Sequence, residues 1–479
     1  MKTLHTDIAI IGAGTAGMTS YRAASATGRK TLLIEAAHYG TTCARVGCMP
    51  SKLLIAAAEA AHAVSAAPGF GVHPGPVRID GKQVMARVRS ERDRFVGFVV
   101  GDVEEWPAED KLWGYARFNS PTELQVGDTL VQANSVVIAT GSTPVVPEAW
   151  KKAGDRVISS DDVFDWTDLP ESVAVVGSGV IGLELGQALH RLGVRVTLFA
   201  RGISVAQLSD PTVLEAADRA LSQELDIRFR TRIEDVAREG EQVMITSADS
   251  YGERRTEQFS YLLSAIGRSP NVGNLGIENT GLELDGYGIP LYDPHTMQCG
   301  RSSIFIAGDA DDERPLLPEA ADQGRIAGTN AALYPNVQPG LRRTPLTIAF
   351  TEPQIATAGS SYKELCASHA GRFAVGKVSF ENQGRSRVML QNKGMLHVYG
   401  EFGSGRFLGA EMVGPRAEHI GHLLSWACQA GLTVATMLEM PFYHPVVEEG
   451  VRTALRNLER QLATVPAPYQ ECPDCTPGP

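Results

Sequence analysis

Excess positive charge is the first thing this sequence lacks. Lys and Arg total 44 against 55 Asp and Glu, a formal net charge of −11 at pH 7. With no long basic run to neutralise phosphates, nucleic acid is excluded as a partner. Long apolar runs are missing as well. The most apolar helical stretch, residues 53–66, is interrupted by Glu59 and His62 and is too short to cross a bilayer, so no membrane partner is expected. Residues 1–7 lead directly into a strand, without a basic segment followed by an apolar one, so no secretion signal is expected and the protein reads as cytoplasmic. Cysteine is scarce, seven in 479 residues, which excludes a secreted disulfide framework. Cys299, Cys366 and Cys428 stand alone and read as small buried hydrophobes. Apolar content of 43% and charged content of 21% exclude disorder as the main state, and the length allows about three domains.

What is present is a pattern that occurs twice. Residues 7–12 form a short continuous apolar run, as a strand buried on both faces requires. Gly12-x-Gly14-x-x-Gly17 follows, then a helical stretch to Gly28 and a second strand at 30–34 ending at Glu35. Such glycines let the backbone approach a pyrophosphate at a helix N-terminus, and an acid at the end of the second strand takes the ribose hydroxyls. The pattern returns as residues 173–177, Gly177-x-Gly179-x-x-Gly182, a helix to Leu192 and a strand at 195–199. Two dinucleotide sites are therefore expected. The two copies end differently. Glu35 lies 23 residues after Gly12, and the same offset from Gly177 falls on Ala200, followed by Arg201. An acid there favours NAD, whereas an Arg accommodates the 2′-phosphate of NADP. Arg201 either meets that phosphate or sits in solvent beside the strand end, so the coenzyme is NAD(H) or NADP(H).

Cys43 and Cys48 lie close together at a helix start, with Lys52 following. Helix N-terminal dipoles and Lys52 would depress a thiol pKa there, as a redox-active pair requires. Zinc needs four ligands, and no second Cys/His pair follows closely, so no metal site is expected. Further on, His444-Pro445 precedes Glu449 at an expected helix start. A carboxylate bonded to one imidazole nitrogen fixes the tautomer and raises the basicity of the other, so the pair can move a proton on and off a thiol.

In seven ordered motifs, the chain resembles the class I pyridine nucleotide–disulfide oxidoreductases, the group of dihydrolipoamide dehydrogenase, glutathione reductase and mercuric reductase. The motifs are Gly12-x-Gly14-x-x-Gly17, Cys43-x4-Cys48, Ala139-Thr140-Gly141, Gly177-x-Gly179-x-x-Gly182, Ala265-Ile-Gly267-Arg-x-Pro270-Asn271, Ala307-Gly308-Asp309 and His444-Pro445-x-x-x-Glu449. The resemblance implies an α/β fold with two Rossmann-like domains, for FAD and NAD(P), and a C-terminal α+β dimerisation domain. The expected boundaries are 1–148 for the first part of the FAD domain, 149–267 for the NAD(P) domain, 268–343 for a return segment, 344–464 for the dimerisation domain and 465–479 for a tail. It implies that Gly12, Gly14, Gly17, Glu35, Lys52, Thr140, Gly141 and Asp309 hold FAD, and that Gly177, Gly179, Gly182, Arg201 and Gly267 hold the nicotinamide dinucleotide. Cys48 would be the thiol against the flavin, Cys43 the thiol that meets substrate, and Lys52 would pair with Glu184. His444 and Glu449 would reach the other subunit's site in a homodimer.

The segments Cys48-Met-Pro-Ser-Lys52 and Val180-Ile-Gly-Leu-Glu184 most resemble dihydrolipoamide dehydrogenase. The expected reaction is then oxidation of a dihydrolipoyl group by NAD(P)+ through a Cys43–Cys48 disulfide, on a lipoyl-bearing protein or a small disulfide substrate. The alternative is an NADPH-dependent disulfide reductase in which Cys472 and Cys475 of the tail relay electrons. Those two cysteines otherwise belong to an unordered end.

Overall fold

The computed structural model describes residues 2–463, so the Cys472/Cys475 relay of the alternative reading lies outside the described residues. The first fingerprint opens on the strand Lys2–Ile11, buried without interruption from Ile8 to Ile11. It pairs in parallel with Thr31–Glu35 on one side and Thr129–Ile138 on the other, with Ile10 opposite both Leu33 and Val137. Lys111–Trp113 and Ile304–Ile306 extend this parallel sheet at its two edges. Ile8, Ile10 and Phe305 pack into one core, while Ala9, Ile11 and Ile138 pack into another. Both faces are therefore covered, and neither face leaves room for the polar alternation of a solvated strand.

The second unit is a separate parallel sheet in the order Asp226–Arg228, Arg195–Phe199, Ser172–Val176, Tyr261–Ser264, Val157–Ser159. An antiparallel sheet of Arg232–Glu239, Gln242–Ala248 and Arg254–Phe259 covers it through Val236, Ile245 and Phe259. The third unit is an antiparallel sheet in the order Leu346–Ala349, Gln354–Gly359, Phe407–Gly414, Met395–Glu401, Phe373–Ser379. The helices Ala417–Gln429 and Glu449–Ala463 cover it. The second of these buries Val451, Ala454, Leu455 and Leu458, one stripe at helical spacing.

A buried polar joint links the second and third units. Asp210 caps the helix Pro211–Leu221 by accepting from Thr212 and Val213 through one oxygen. Its other oxygen accepts from His397 Nδ1 at 2.7 Å and from the Tyr399 hydroxyl at 3.2 Å. Glu411, fully buried, accepts the amide protons of Ser209, Asp210 and Tyr362.

Three expectations need correction. Residues 42–70 are long and apolar enough to cross a membrane, because the helical segment extends beyond 53–66 at both ends. Its first part is nonetheless built into the protein, since Leu54, Ile55 and Ala58 enter a core shared with the second unit. Of the isolated cysteines Cys299 is buried, but Cys428 is half-buried and Cys366 is exposed. His444 does not start a helix. It lies in the loop before Glu449–Ala463, and Glu449 is that helix's first residue.

Candidate active site

The two glycine turns are built alike. Gly12 and Gly177 hold φ of 105° and 119°, and a Cβ on either would overlap a carbonyl oxygen of the neighbouring crossover, Ala139 or Ala265. Gly17 and Gly182 sit so close to the preceding turn that a Cβ would overlap the carbonyl oxygen of Gly12 or Gly177. The middle glycines, Gly14 and Gly179, face open space and open the helices Thr15–Ser25 and Val180–Arg191. Each turn thus presents free backbone at a helix N-terminus, where a pyrophosphate fits. In the first, the Glu35 carboxylate accepts from the amides of Ala13 at 2.7 Å and of Ala36 and Ala37 at 2.8 Å.

Three motifs distant in sequence meet at the crossover between these units. Asp309 accepts from Ser142 Oγ at 2.7 Å, and Ser142 in turn receives the guanidinium of Arg268 at both its hydroxyl and its carbonyl oxygen. Asn271 binds the carbonyl oxygens of Thr140 and Gly141. Gly141 and Gly267 have positive φ with nothing near a Cβ, and the Thr140 hydroxyl is buried without a partner. The open glycine backbone, the unpaired hydroxyl and the acids at Glu35 and Asp309 fit an elongated, hydroxyl-rich dinucleotide such as FAD.

Cys43 lies on the short helix Thr42–Val46, capped by Thr41, and Cys48 begins the long helix Cys48–Ala66. Gly47 between them makes the turn that brings both thiols together, and both are free thiols in this structure. The Cys43 S–H donates to Cys48, and this bond lowers the Cys48 pKa to about 7. Lys52 adds to the effect, while burial opposes it. The same bond pushes the Cys43 thiol up, with burial acting in the same direction. One thiol is held as the readily ionised member of the pair, the other as the protonated one.

Lys52 Nζ lies 2.7 Å from Glu184, which is 4% exposed, and 4.6 Å from the centre of the Phe350 ring. The other Glu184 oxygen accepts from the Phe350 amide at 2.9 Å. One buried carboxylate therefore joins the cysteine helix, the second fingerprint helix and the start of the third unit.

The Nδ1–H of His444 donates to the Glu449 carboxylate at 3.0 Å, which leaves Nε2 as the basic nitrogen. The Glu449 carboxyl is lowered, first by that bond, and also receives Arg452. Gln383 donates to the Val446 carbonyl at 2.8 Å and so ties down the loop behind His444. The His444 side chain is 80% exposed, and among the described residues no hydrogen bond or ion pair joins it to the cysteines.

Ala200 is buried and Arg201 exposed. Sequence reasoning assigned no role to Ser142, Arg268, Asn271 or Gln383. Arg268 and Asn271 fall inside a quoted motif, but Ser142 and Gln383 act through folded proximity and carry no motif signal. Among the described residues no cluster of three or more His, Cys, Asp or Glu is placed to hold a metal.

The family described as pyridine nucleotide-disulphide oxidoreductase matches residues 6–324, and the dimerisation domain of the same family matches residues 346–455. A mercuric reductase of Shigella flexneri is 31% identical over 477 residues, covering 95% of this chain and 81% of that protein. A dihydrolipoyl dehydrogenase of Thermus scotoductus is 30% identical over 470 residues, covering 96% of this chain and 98% of that protein. The crystal structure of LpdA from Mycobacterium tuberculosis is similar with a TM-score of 0.80 at 25% identity, covering 95% of this chain and 99% of that one.

Proposed function

The chain belongs to the pyridine nucleotide-disulphide oxidoreductases, FAD-dependent enzymes that use NAD(P), and we propose that its own reaction is oxidation of a dihydrolipoyl-type dithiol by NAD(P)+. The observation that carries this reading is the His444–Glu449 pair, a base with its tautomer held at 3.0 Å and its free nitrogen on an exposed face. Dithiol oxidation requires a proton acceptor at the attacking thiol, and this pair supplies one.

In this reading the first substrate thiol attacks Cys43 Sγ of the Cys43–Cys48 disulfide, and His444 takes its proton. The S–S bond breaks and Cys48 leaves as the thiolate. The second substrate thiol then attacks the substrate sulfur of the mixed disulfide, its proton passes to the departing Cys43 sulfur, and the substrate disulfide closes. Cys48 suits the leaving role because the Lys52 charge stabilises its anion, and the Cys43 S–H adds its hydrogen bond once the second attack has freed Cys43. Bound FAD supplies the passage of two electrons from the dithiol pair to NAD(P)+. Glu184 fixes the Lys52 ammonium beside the cysteine helix, so that charge stays in place while the pair cycles. The dimerisation domain supports a homodimer, in which the dyad of one subunit serves the cysteine pair of the other.

A second reading, NADPH-driven reduction of a disulfide, is favoured by Ala200 and Arg201 at the coenzyme turn. Initial rates with dihydrolipoamide and NAD+ or NADP+ decide between the two. Rapid formation of reduced coenzyme supports the dithiol reading. No turnover with either acceptor, together with rapid bleaching of the flavin absorbance by NADPH, replaces it with the second.

A further inference from the structure

We infer that the second dinucleotide site selects NADP(H) over NAD(H), with the coenzyme's 2′-phosphate held between Arg201 and a residue outside every motif above, Arg230. The inference rests on the reading of Gly177–Gly182 as the pyridine nucleotide turn and supplies the phosphate's ligands.

The two units differ where the ribose lies. In the first, the Glu35 carboxylate closes onto the turn through the Ala13 amide. A carboxylate there faces the ribose edge and would repel a phosphate ester. In the second, Ala200 stands at that position and, among the described residues, no carboxylate reaches Ser178, the counterpart of Ala13. The chain that follows is tied along the turn instead. The Ala206 amide donates to the Ser178 carbonyl at 2.9 Å, and the Ser178 and Ser204 hydroxyls lie 3.1 Å apart. Arg201, exposed, lies in the stretch between Ala200 and this loop.

Arg230 reaches the same place from another loop. The Ala200 amide donates to the Arg228 carbonyl, and the Thr231 amide donates to the Ala200 carbonyl, both at 3.0 Å. Residues 228–231 therefore wrap around Ala200, and Arg230 lies between the two bonds. Arg230 turns the bend with φ of 53° and is exposed, while Thr231 beneath it is buried. Arg201 and Arg230, 29 residues apart in sequence, flank the same buried alanine.

The neighbouring cations are already engaged. Arg228 binds Asp226 and Glu257 and lies over the Phe199 ring, and Arg195 binds the Gln258 carbonyl and lies over Phe259. Arg201 and Arg230 have no ion pair or side-chain hydrogen bond among the described residues. Two unpaired guanidiniums beside a ribose edge, with the nearby Asp226 and Glu257 carboxylates already paired to Arg228, make a site for a dianionic phosphate.

The test uses the FAD-containing holoenzyme and two probes that differ only in that phosphate, 2′,5′-ADP and 5′-AMP, titrated by calorimetry. The wild type is expected to bind 2′,5′-ADP about 100-fold more tightly. R201Q and R230Q are each expected to weaken 2′,5′-ADP about tenfold and to narrow the ratio of the two affinities, with R230K restoring part of the loss. Raising the salt concentration shrinks the same ratio. Equal 2′,5′-ADP affinity in R230Q and wild type, at unchanged melting temperature, overturns the role of Arg230. Equal affinity of the wild type for both probes overturns the NADP(H) preference. If neither probe binds, and neither NADH nor NADPH bleaches the flavin absorbance, the underlying assignment of the second turn has failed instead.

Discussion

Replacing Cys43 by Ala removes the S–H that donates to Cys48, the first of the influences holding the Cys48 thiol near 7. A free cysteine ionises near 8.5, so the native pair gains about 1.5 units, and roughly half of Cys48 is thiolate at neutral pH. A hydrogen bond to a charged acceptor contributes about 1.5–3 kcal/mol, which corresponds to about one to two units. The bond is one of several influences on Cys48, with burial opposing it and Lys52 remaining in place, so its removal is placed at the lower end, about one unit. In two-electron-reduced wild type, the rate of Cys48 alkylation by iodoacetamide should therefore rise through a midpoint near 7. In C43A the midpoint should move to about 8, making alkylation about tenfold slower at pH 6. K52M should move the midpoint less, and in a salt-dependent way, because the Lys52 charge is already shared with Glu184. An unmoved midpoint in C43A, or a larger shift in K52M, would refute the reasoning that the thiol–thiol bond sets the thiolate.

Gly17→Ala and Gly14→Ala should separate packing from cofactor binding. The first places a Cβ on the Gly12 carbonyl and should cost about 1–3 kcal/mol, read as a fall in melting temperature. The second meets open space and should leave the apoprotein's melting temperature within a degree or two while lowering the flavin-to-protein absorbance ratio. Glu449→Gln removes the charge that His444 answers, and kcat/KM for dihydrolipoamide should fall at least about tenfold, with the lower limb of its pH profile shifted. An unaltered profile would show that the pair is structural. Burial works against the Asp210 charge, but the His397 bond outweighs it and holds the carboxyl below its ordinary value. A depressed acid contributes stability above its unfolded pKa, near 4, and loses that contribution as pH falls further. Urea midpoints measured between pH 5 and pH 3 should therefore drop less in Asp210→Asn than in wild type.

Both glycine turns, the Cys43/Cys48 pair and the His444–Glu449 hydrogen bond were legible because each is local. A buried parallel strand, a glycine turn and a helix lie within some twenty residues, and the chemistry that demands them acts at that range. The strand at 195–199 was placed to the residue because it closes the second copy of the strand, glycine turn, helix and strand pattern. The antiparallel sheet Arg232–Glu239, Gln242–Ala248, Arg254–Phe259 went unread, since its charged, half-exposed strands show only a weak alternation. Residue types near position 444 suggested that His444 stands at a helix start, yet Glu449 begins the helix and His444 hangs from the loop before it.

Sequence alone determined which residue types could do redox work here, because fingerprint glycines and paired cysteines constrain their own neighbourhoods. Tertiary structure decided which distant residues share a charge. Glu184 meets Lys52 across 132 positions, Ser142 meets Asp309 across 167, and His397 meets Asp210 across 187. The bend that carries Arg230 lies against Ala200, the residue before Arg201, only because two backbone hydrogen bonds fold one loop against another. Hydrogen bonds and Coulomb interactions depend on separation in space, and chain order carries almost none of that once loops have closed.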